Sequence, residues 1–316
     1  MLPLRSSFSL LFVFLVLGAS AQEKSTPAER GFGADHVRFC SFNLKNWLQM
    51  DRAFGEKEDL QGKPEKEKVA VVASILAIQP DILGVCEIGE ASDLLELQKR
   101  LRDQGLDLPH VASAHGGDQV RKLGLLSRLP ISATNSKTDL FYNIGGTVLM
   151  FQRGILDATI HIEDGFELRV LGVHLKSKRA VPEGDEALMR RNEAQLLRDH
   201  ISEILTAAPQ TKLLAYGDFN EHRNEPCIDV IQGDRQNDAL SMHDVLVRDS
   251  NGEVWTHFWD AADVYGRLDY FFVSKELRPL ANFRKSFIYG GKDFDEASDH
   301  RPIVLGIEFP DSKEKP

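Results

Sequence analysis

Asp218 and Asn220 follow the apolar run 213–216 and Gly217. If the backbone stays extended there, both side chains leave one side of a strand end, a carboxylate beside a carboxamide. Such a pair suits holding a hard cation and a substrate oxygen together. Taken alone, Gly-Asp and Asn are also ordinary turn residues. The chain repeats the arrangement, however. Apolar runs end at Asn43, Glu87 and His174, Asp269 lies in Arg267-Leu268-Asp269-Tyr270, and Asp299-His300 precede Ile303-Val304-Leu305. If these runs are strands, their ends gather hard oxygen ligands and two imidazoles at one edge.

The elements that must position them are legible as follows. Val37, Phe39 and Ser41 alternate with Arg38, Cys40 and Phe42 over 37–44, a strand ending at Asn43. The charge-rich stretch 50–68 reads as a loop entering a helix that runs to Ile78. Its apolar face is expected at Val69, Val72, Ala73 and Leu76, and Pro80 stops it. A second strand covers 81–88, and Leu94, Leu95, Leu97 and Leu101 mark a helix closed by Gly105. Strands follow at 123–126, 148–151, 156–162 and 166–173, with Gly165 turning between the last two. The longest helix is 187–208, and 268–273 and 303–309 are closing strands. Loops and interspersed helices without a repeat period favour one α+β domain with two stacked sheets flanked by helices.

Residues 1–21 read as a signal peptide: Arg5, the apolar run 10–17, and Ala19-Ser20-Ala21 before cleavage. The expected division is then a linker at 22–35, the domain at 36–310 and a polar tail at 311–316. The protein is expected to be exported, to a periplasm or outside the cell, without stable membrane insertion or a protein partner. The formal net charge of -10 excludes a global basic field. It does not exclude nucleic acid, because a divalent cation dominates its local field. Cys40, Cys86 and Cys227 lack metal-type spacing and read as buried small hydrophobes, with a Cys40–Cys86 bridge the lesser reading.

The series resembles the endonuclease/exonuclease/phosphatase superfamily, the deoxyribonuclease-I-like fold. The matching pieces are Phe42-Asn43, Cys86-Glu87-Ile88, Val173-His174-Leu175, Gly217-Asp218-Phe219-Asn220, Arg267-Leu268-Asp269-Tyr270 and Ser298-Asp299-His300-Arg301-Pro302. They run in family order over nearly the whole chain after the signal. The resemblance implies a four-layer α/β/β/α sandwich and metal-dependent cleavage of phosphate esters. It implies Glu87 as principal ligand of Mg²⁺ (or Mn²⁺), assisted by Asn43 and Asp299. His300 is implied as general base or phosphate-orienting group, its imidazole held by Asp269. Asp218 is implied beside the attacking water, as base or second metal ligand. Asn220 is implied to donate to a phosphoryl oxygen, and His174 to donate to the phosphate or protonate the leaving oxygen.

Other chemistries find no support. There is no Gly-x-Ser-x-Gly, His-Glu-x-x-His or Walker loop, and Arg223 occupies the glycine position an EF-hand would need after Asp218. For substrate, His174, Lys176 and Lys178 share a face if the strand continues, with Arg179, Arg190 and Arg191 close in sequence. That run is either a basic track for phosphates or a solvated stretch before a helix. Arg121 and Asp118 lie in a second rim loop, and Trp255, His257 and Trp259 offer either a stacking platform or loop anchors. The expectation is a divalent-metal-dependent phosphoesterase, nuclease-like, with nucleic acid as substrate. A lipid or small-molecule phosphoesterase of the sphingomyelinase or inositol-phosphatase kind is the alternative, although no long apolar hairpin is evident to grip a membrane. A binding protein that kept the fold and lost the chemistry is the remote one.

Overall fold

In the computed structural model, residues 36–51, 60–234, 236–291 and 294–309 are described. The proposed signal at 1–21, the linker at 22–35 and the tail at 311–316 lie outside them. The strands that build the two main sheets are, in chain order, β1 (His36–Trp47), β2 (Ile82–Ile88), β3 (His110–Ala114), β4 (Lys122–Ser127), β5 (Ile131–Thr134) and β6 (Leu156–Glu163). They continue with β7 (Phe166–His174), β8 (Leu213–Asp218), β9 (Met242–Asp244), β10 (Asp269–Ser274), β11 (Ala281–Ile288) and β12 (Ile303–Glu308). The helices are α1 (Glu65–Ile78), α2 (Ala91–Arg102), α3 (Glu186–Ala207), α4 (Pro226–Gln232) and the single turn α5 (Phe294–Ala297). One sheet has the order β11-β12-β1-β2-β4-β3 and the other β9-β10-β8-β7-β6-β5.

Strand alternation divides the apolar residues among three cores. Val37 and Phe39 of β1 face the other sheet, in a cluster with Leu168 and Val170 of β7 and Phe271 and Val273 of β10. Cys40, Phe42 and Leu44 face the opposite way, against Val71 and Ile75 of α1 and Leu94 and Leu97 of α2. The far side of the second sheet packs Leu171, Ala215 and Phe272 against Leu197 and Ile201 of α3 and Ile228 of α4. The result is the four-layer α/β/β/α sandwich. Each fully buried aliphatic or aromatic side chain in these cores contributes about 1.5–3 kcal/mol. Cys40 and Cys86 sit in different cores, on opposite faces of one sheet, and all three cysteines are free and buried.

Two parallel pairs set the polarity of the site. Strand β1 runs parallel to β2, with Asn43 opposite Cys86, and β7 runs parallel to β8, with His174 opposite Asp218. Parallel neighbours need a long crossover, and α1 and α3 supply it. Their C-terminal ends are therefore where Asn43, Glu87, His174 and Asp218 stand. Tyr216 fills the space between the sheets at this level, edge-on to Phe39 at 4.7 Å. A Cβ on Gly84 of β2 would lie 2.1 Å from the Tyr216 ring, and one on Gly172 of β7 2.7 Å from its hydroxyl.

Helix α1 differs from expectation in its face. Val71, Ile75 and Ile78 are buried, whereas Val69 and Ala73 are exposed. The stretch Val69-Ala70-Val71-Val72-Ala73 is apolar on every side, so periodicity does not select the inward stripe.

Candidate active site

Local backbone geometry aims the side chains. Gly217 has φ +132°, and a Cβ there would sit 2.0 Å from the Val173 carbonyl oxygen, so only glycine lets β8 approach β7 just before Asp218. Glu87 and Asn220 occupy the left-handed region at φ +60° and +51°. Non-glycine residues there are strained, and such strain concentrates at functional sites. Each is over-determined by hydrogen bonds. Glu87 Oε2 accepts the Asn46 N–H at 2.9 Å. Asn220 donates its N–H to Asp218 Oδ1 at 2.8 Å, and its Nδ2 to Leu175 O at 2.9 Å and Asp218 Oδ2 at 3.3 Å.

Asp218 is the meeting point. Its Oδ2 accepts Asn43 Nδ2 from the other sheet at 3.0 Å and lies 3.5 Å from His174 Nε2 and 3.6 Å from His300 Nε2. His300 Nδ1 is 2.8 Å from Asp269 Oδ2, and Thr256 Oγ1 accepts the Asp269 N–H at 3.0 Å. The Ser298 hydroxyl donates to the Asn43 carbonyl at 2.8 Å, docking the Asp299-His300 segment onto β1. Asp269 has no part in pairing Arg267, which forks onto Asp244 at 2.9 and 2.5 Å.

These contacts divide the protonation states. Burial raises the Asp218 carboxyl to about 7; the His300 charge pulls it back, and Asp269 and Glu87 push with burial. Burial alone would lower the His300 imidazole, but the charges of Asp269, Asp218 and Asp299 and the bond to Asp269 outweigh it and raise it to about 10. His174 goes the other way: burial, then the charges of Arg153, His300, Arg121 and Lys176, hold it well below its ordinary value. Among the described residues its Nδ1 has no partner, while Nε2 faces Asp218 and Glu87, and the neutral ring's proton is assigned to Nε2 on that ground. His257 packs against His300 with the rings tilted by 49° and 4.6 Å between centroids, and burial and the His300 charge lower it to about 4.

The donor set fits a divalent cation at Glu87. Among the described residues Glu87 Oε1 has marginal contacts to Asn43 Nδ2 at 3.5 Å and His174 Nε2 at 3.9 Å, and half-buried Asp299 a weak one from its neighbour Ser298 at 3.4 Å. Both therefore retain carboxylate lone pairs, the ligands hard cations prefer. Asn43 stands between Glu87 and Asp218, with its Oδ1 accepting the Lys45 N–H. Ligand atoms of Asp218, Asp269 and His300 also lie within 4.8 Å of one another. There the Asp269–His300 hydrogen bond already occupies Nδ1 and Oδ2, and the group reads as a proton-handling triad rather than a cage.

Lys176 and Lys178 do not form the expected basic track. Strand β7 ends at His174, so the two-residue period does not continue. Lys176 is buried, its Nζ donating to the carbonyls of Ser177 (2.9 Å) and Arg179 (2.8 Å), and Lys178 pairs with Glu221. Arg190 is likewise buried against Glu221. Arg121 does reach the site, with Nε donating to Asn46 Oδ1 at 2.8 Å, beside the residue that holds Glu87. Asn220 is brought to Asp218, but its amide is spent inside the chain. Trp255 anchors a loop under the Arg301 guanidinium, 4.1 Å above its ring. Sequence reading missed Arg153, whose charge bears on His174; a cation just before a buried strand was its one signal. Of two short hairpins with exposed apolar residues it anticipated only one strand, 148–151. One pairs Phe141–Ile144 with Thr147–Met150 and exposes Phe141 and Val148. The other pairs His257–Trp259 with Val264–Gly266, exposing Trp259, Val264 and Tyr265 beside His300.

The fold recurs in solved structures. The human Nocturnin catalytic domain with bound sulfate anion superposes with a TM-score of 0.60 at 18% identity, over 87% of this chain and 94% of that one. Truncated TDP2 of Caenorhabditis elegans gives 0.58 at 17%, over 87% and 98%. Sphingomyelinase C from Streptomyces griseocarneus gives 0.56 at 12%, over 86% and 99%. At these identities the likeness is one of fold. No curated protein matches the sequence. The model of the Endonuclease/Exonuclease/phosphatase family matches residues 59–300, from before α1 to His300. The chain therefore belongs to that family, whose members are hydrolases of phosphate esters.

Proposed function

We propose that this protein is a divalent-metal-dependent phosphodiesterase, nuclease-like, that cleaves by attack of water. The observation that carries the reading is the setting of Asp218 Oδ2, with Asn43 Nδ2, His174 Nε2 and His300 Nε2 at 3.0, 3.5 and 3.6 Å. Glu87, Asn43 and Asp299 would hold Mg²⁺ or Mn²⁺, which when bound neutralises phosphoryl oxygens and lowers the barrier to hydroxide attack. Asp218, with its carboxyl near 7, takes the proton of the attacking water, the range in which a general base works best. The neutral His174 donates its Nε2–H to a phosphoryl oxygen, a fixed dipole where charge develops. His300, kept cationic by Asp269, orients the phosphate rather than acting as base. Asn220 aims Asp218. The sulfate bound to the Nocturnin domain is consistent with an anion site in this fold.

A lipid phosphodiester is the second reading, favoured by Trp259, Val264 and Tyr265 exposed on the hairpin whose His257 packs against His300. Residues 22–316 assayed with Mg²⁺, Mn²⁺ or EDTA on bis-p-nitrophenyl phosphate, plasmid DNA, RNA and sphingomyelin vesicles separate the readings. Metal-dependent nicking lost in Glu87→Ala is expected, cleavage of sphingomyelin alone would transfer the assignment, and silence on all four would overturn it. Export belongs to the same proposal: secreted material should begin at Gln22 by mass spectrometry, and an intact Met1 terminus would refute it.

A further inference from the structure

Glu193 of α3 is fully buried, and among the described residues no Lys, Arg or His nitrogen lies within ion-pair distance of its carboxylate. Its oxygens instead accept two backbone N–H groups, Oε1 from Gln152 at 3.1 Å and Oε2 from Lys176 at 2.6 Å. The Lys176 N–H belongs to the same peptide plane as the Leu175 carbonyl, and that carbonyl accepts Asn220 Nδ2 at 2.9 Å. Asn220 in turn donates to both oxygens of Asp218. A continuous hydrogen-bonded line thus runs from the α3 interior through one peptide plane to the centre of the site. The second latch, at Gln152, fixes the residue before Arg153.

We propose that Glu193 is a positioning residue, latching the peptide plane 175–176 and the 152–153 segment to α3 so that Asn220 aims Asp218. The inference rests on the role given to Asp218 under the proposed function. Hydrogen bonds in such a line polarise one another, so loss at one end is felt at the other. Stability alone does not account for a carboxylate here, because a buried, unpaired charge is costly and a neutral side chain of equal size avoids that cost.

The carboxyl is also placed to titrate. Burial raises it to about 7; the N–H groups of Gln152 and Lys176 and the charges of Arg153 and Lys176 pull it down only in part. The other groups that feel its charge are Tyr142 of the Phe141–Ile144 strand and Cys227 of α4; Arg190 of α3 and Glu221 lie beside Cys227. Ionised, both oxygens accept. Protonated, one oxygen carries a hydrogen that opposes an N–H, and one latch opens. The latch therefore closes as pH rises through about 7.

The test is Glu193→Gln, which keeps shape but fixes the one-latch state. Expected are kcat lowered about 10- to 100-fold with KM within about twofold, and a thermal midpoint at pH 8 no lower than wild type. In amide NMR the Lys176 N–H of the wild type should titrate with a midpoint near 7, and the variant should lack that titration while shifting the Asn220 side-chain amide. An unaltered kcat, or a fall in kcat matched by a fall in thermal midpoint, would overturn the proposal. Should the wild type turn over no substrate, the phosphodiesterase reading fails by itself and the NMR arm still decides: an unmoved Asn220 amide sinks the latch.

Discussion

Asn43 Nδ2, near the C-terminal end of β1, donates to Asp218 Oδ2, at the end of β8, at 3.0 Å, so one hydrogen bond joins the two sheets at the heart of the site. Removing it by Asn43→Ala leaves a buried carboxylate short of a donor, at about 1–3 kcal/mol. Because Asn43 also touches Glu87, the loss falls on cation and base together. kcat/KM on bis-p-nitrophenyl phosphate should drop about 10- to 100-fold, with a higher Mg²⁺ requirement. Unchanged metal dependence would detach Asn43 from the Glu87 centre.

Asp269 makes His300 a cation. Its raised pKa contributes stability that is fully present below the ordinary histidine value of 6.5 and is lost as pH rises through about 10. Asp269→Asn should remove most of this slope, so that its thermal midpoint between pH 7 and 10 is flatter than that of wild type. The same change should lower kcat by about 10²–10⁴, the range for an imidazole left without its carboxylate. A variant with a wild-type slope would show that Asp218 and Asp299 alone hold the charge.

Of the strands in the two main sheets, the eight readable from sequence are the central ones, β1, β2, β4, β6, β7, β8, β10 and β12, while the strand expected at 148–151 falls in a separate hairpin. The four that were not, β3, β5, β9 and β11, are the four sheet edges. A central strand is buried on both faces and shows as an apolar run. An edge such as Ile131–Thr134, with three of its four residues exposed, carries little hydrophobic pattern. Most of the site was legible for the same reason, since Asn43, Glu87, His174 and Asp218 lie at or near the C-terminal ends of central strands, although β1 runs on to Trp47 past the end expected at Asn43. Glu193 was not, because its meaning lies in contacts to residues 17 and 41 positions away in sequence, and a helix pattern gives it only as one more surface acid. Strand β7 ends at His174, so the condition under which Lys176 and Lys178 would share a face with it is not met.

Gly84 faces the Tyr216 ring across the intersheet core, and an added Cβ would sit 2.1 Å from it. Gly84→Ala must therefore displace a ring wedged against Phe39, at about 1–3 kcal/mol for an overpacked core. That corresponds to a fall in thermal midpoint of about 2–4 °C for each kcal/mol. Methyls on Gly84 and Gly172 would each lie 2.7 Å from the Tyr216 hydroxyl, but only the one on Gly84 also meets the ring edge at 2.1 Å, so Tyr216→Phe should restore Gly172→Ala more than Gly84→Ala. Equal rescue of both would show that the ring moves as a body.

Arg121 and Lys178 are both cations near the site, and the structure separates them. Arg121 spends Nε on Asn46, and among the described residues its other guanidinium nitrogens reach only Asp118, at 3.7 Å, leaving donors for an anionic substrate beside Glu87. Charge-assisted hydrogen bonds contribute about 1.5–3 kcal/mol each, so Arg121→Ala should raise KM for a polymeric phosphodiester about 10-fold or more. Lys178 is already paired with Glu221, which also holds Arg190 at 2.8 Å. Lys178→Ala should leave KM within about twofold, because Arg190 still neutralises the buried Glu221. Steady-state kinetics on plasmid DNA at two salt concentrations tests both. A large KM effect at Lys178 that fades at high salt would restore the basic track; the same effect at Arg121 alone assigns phosphate capture to the rim loop.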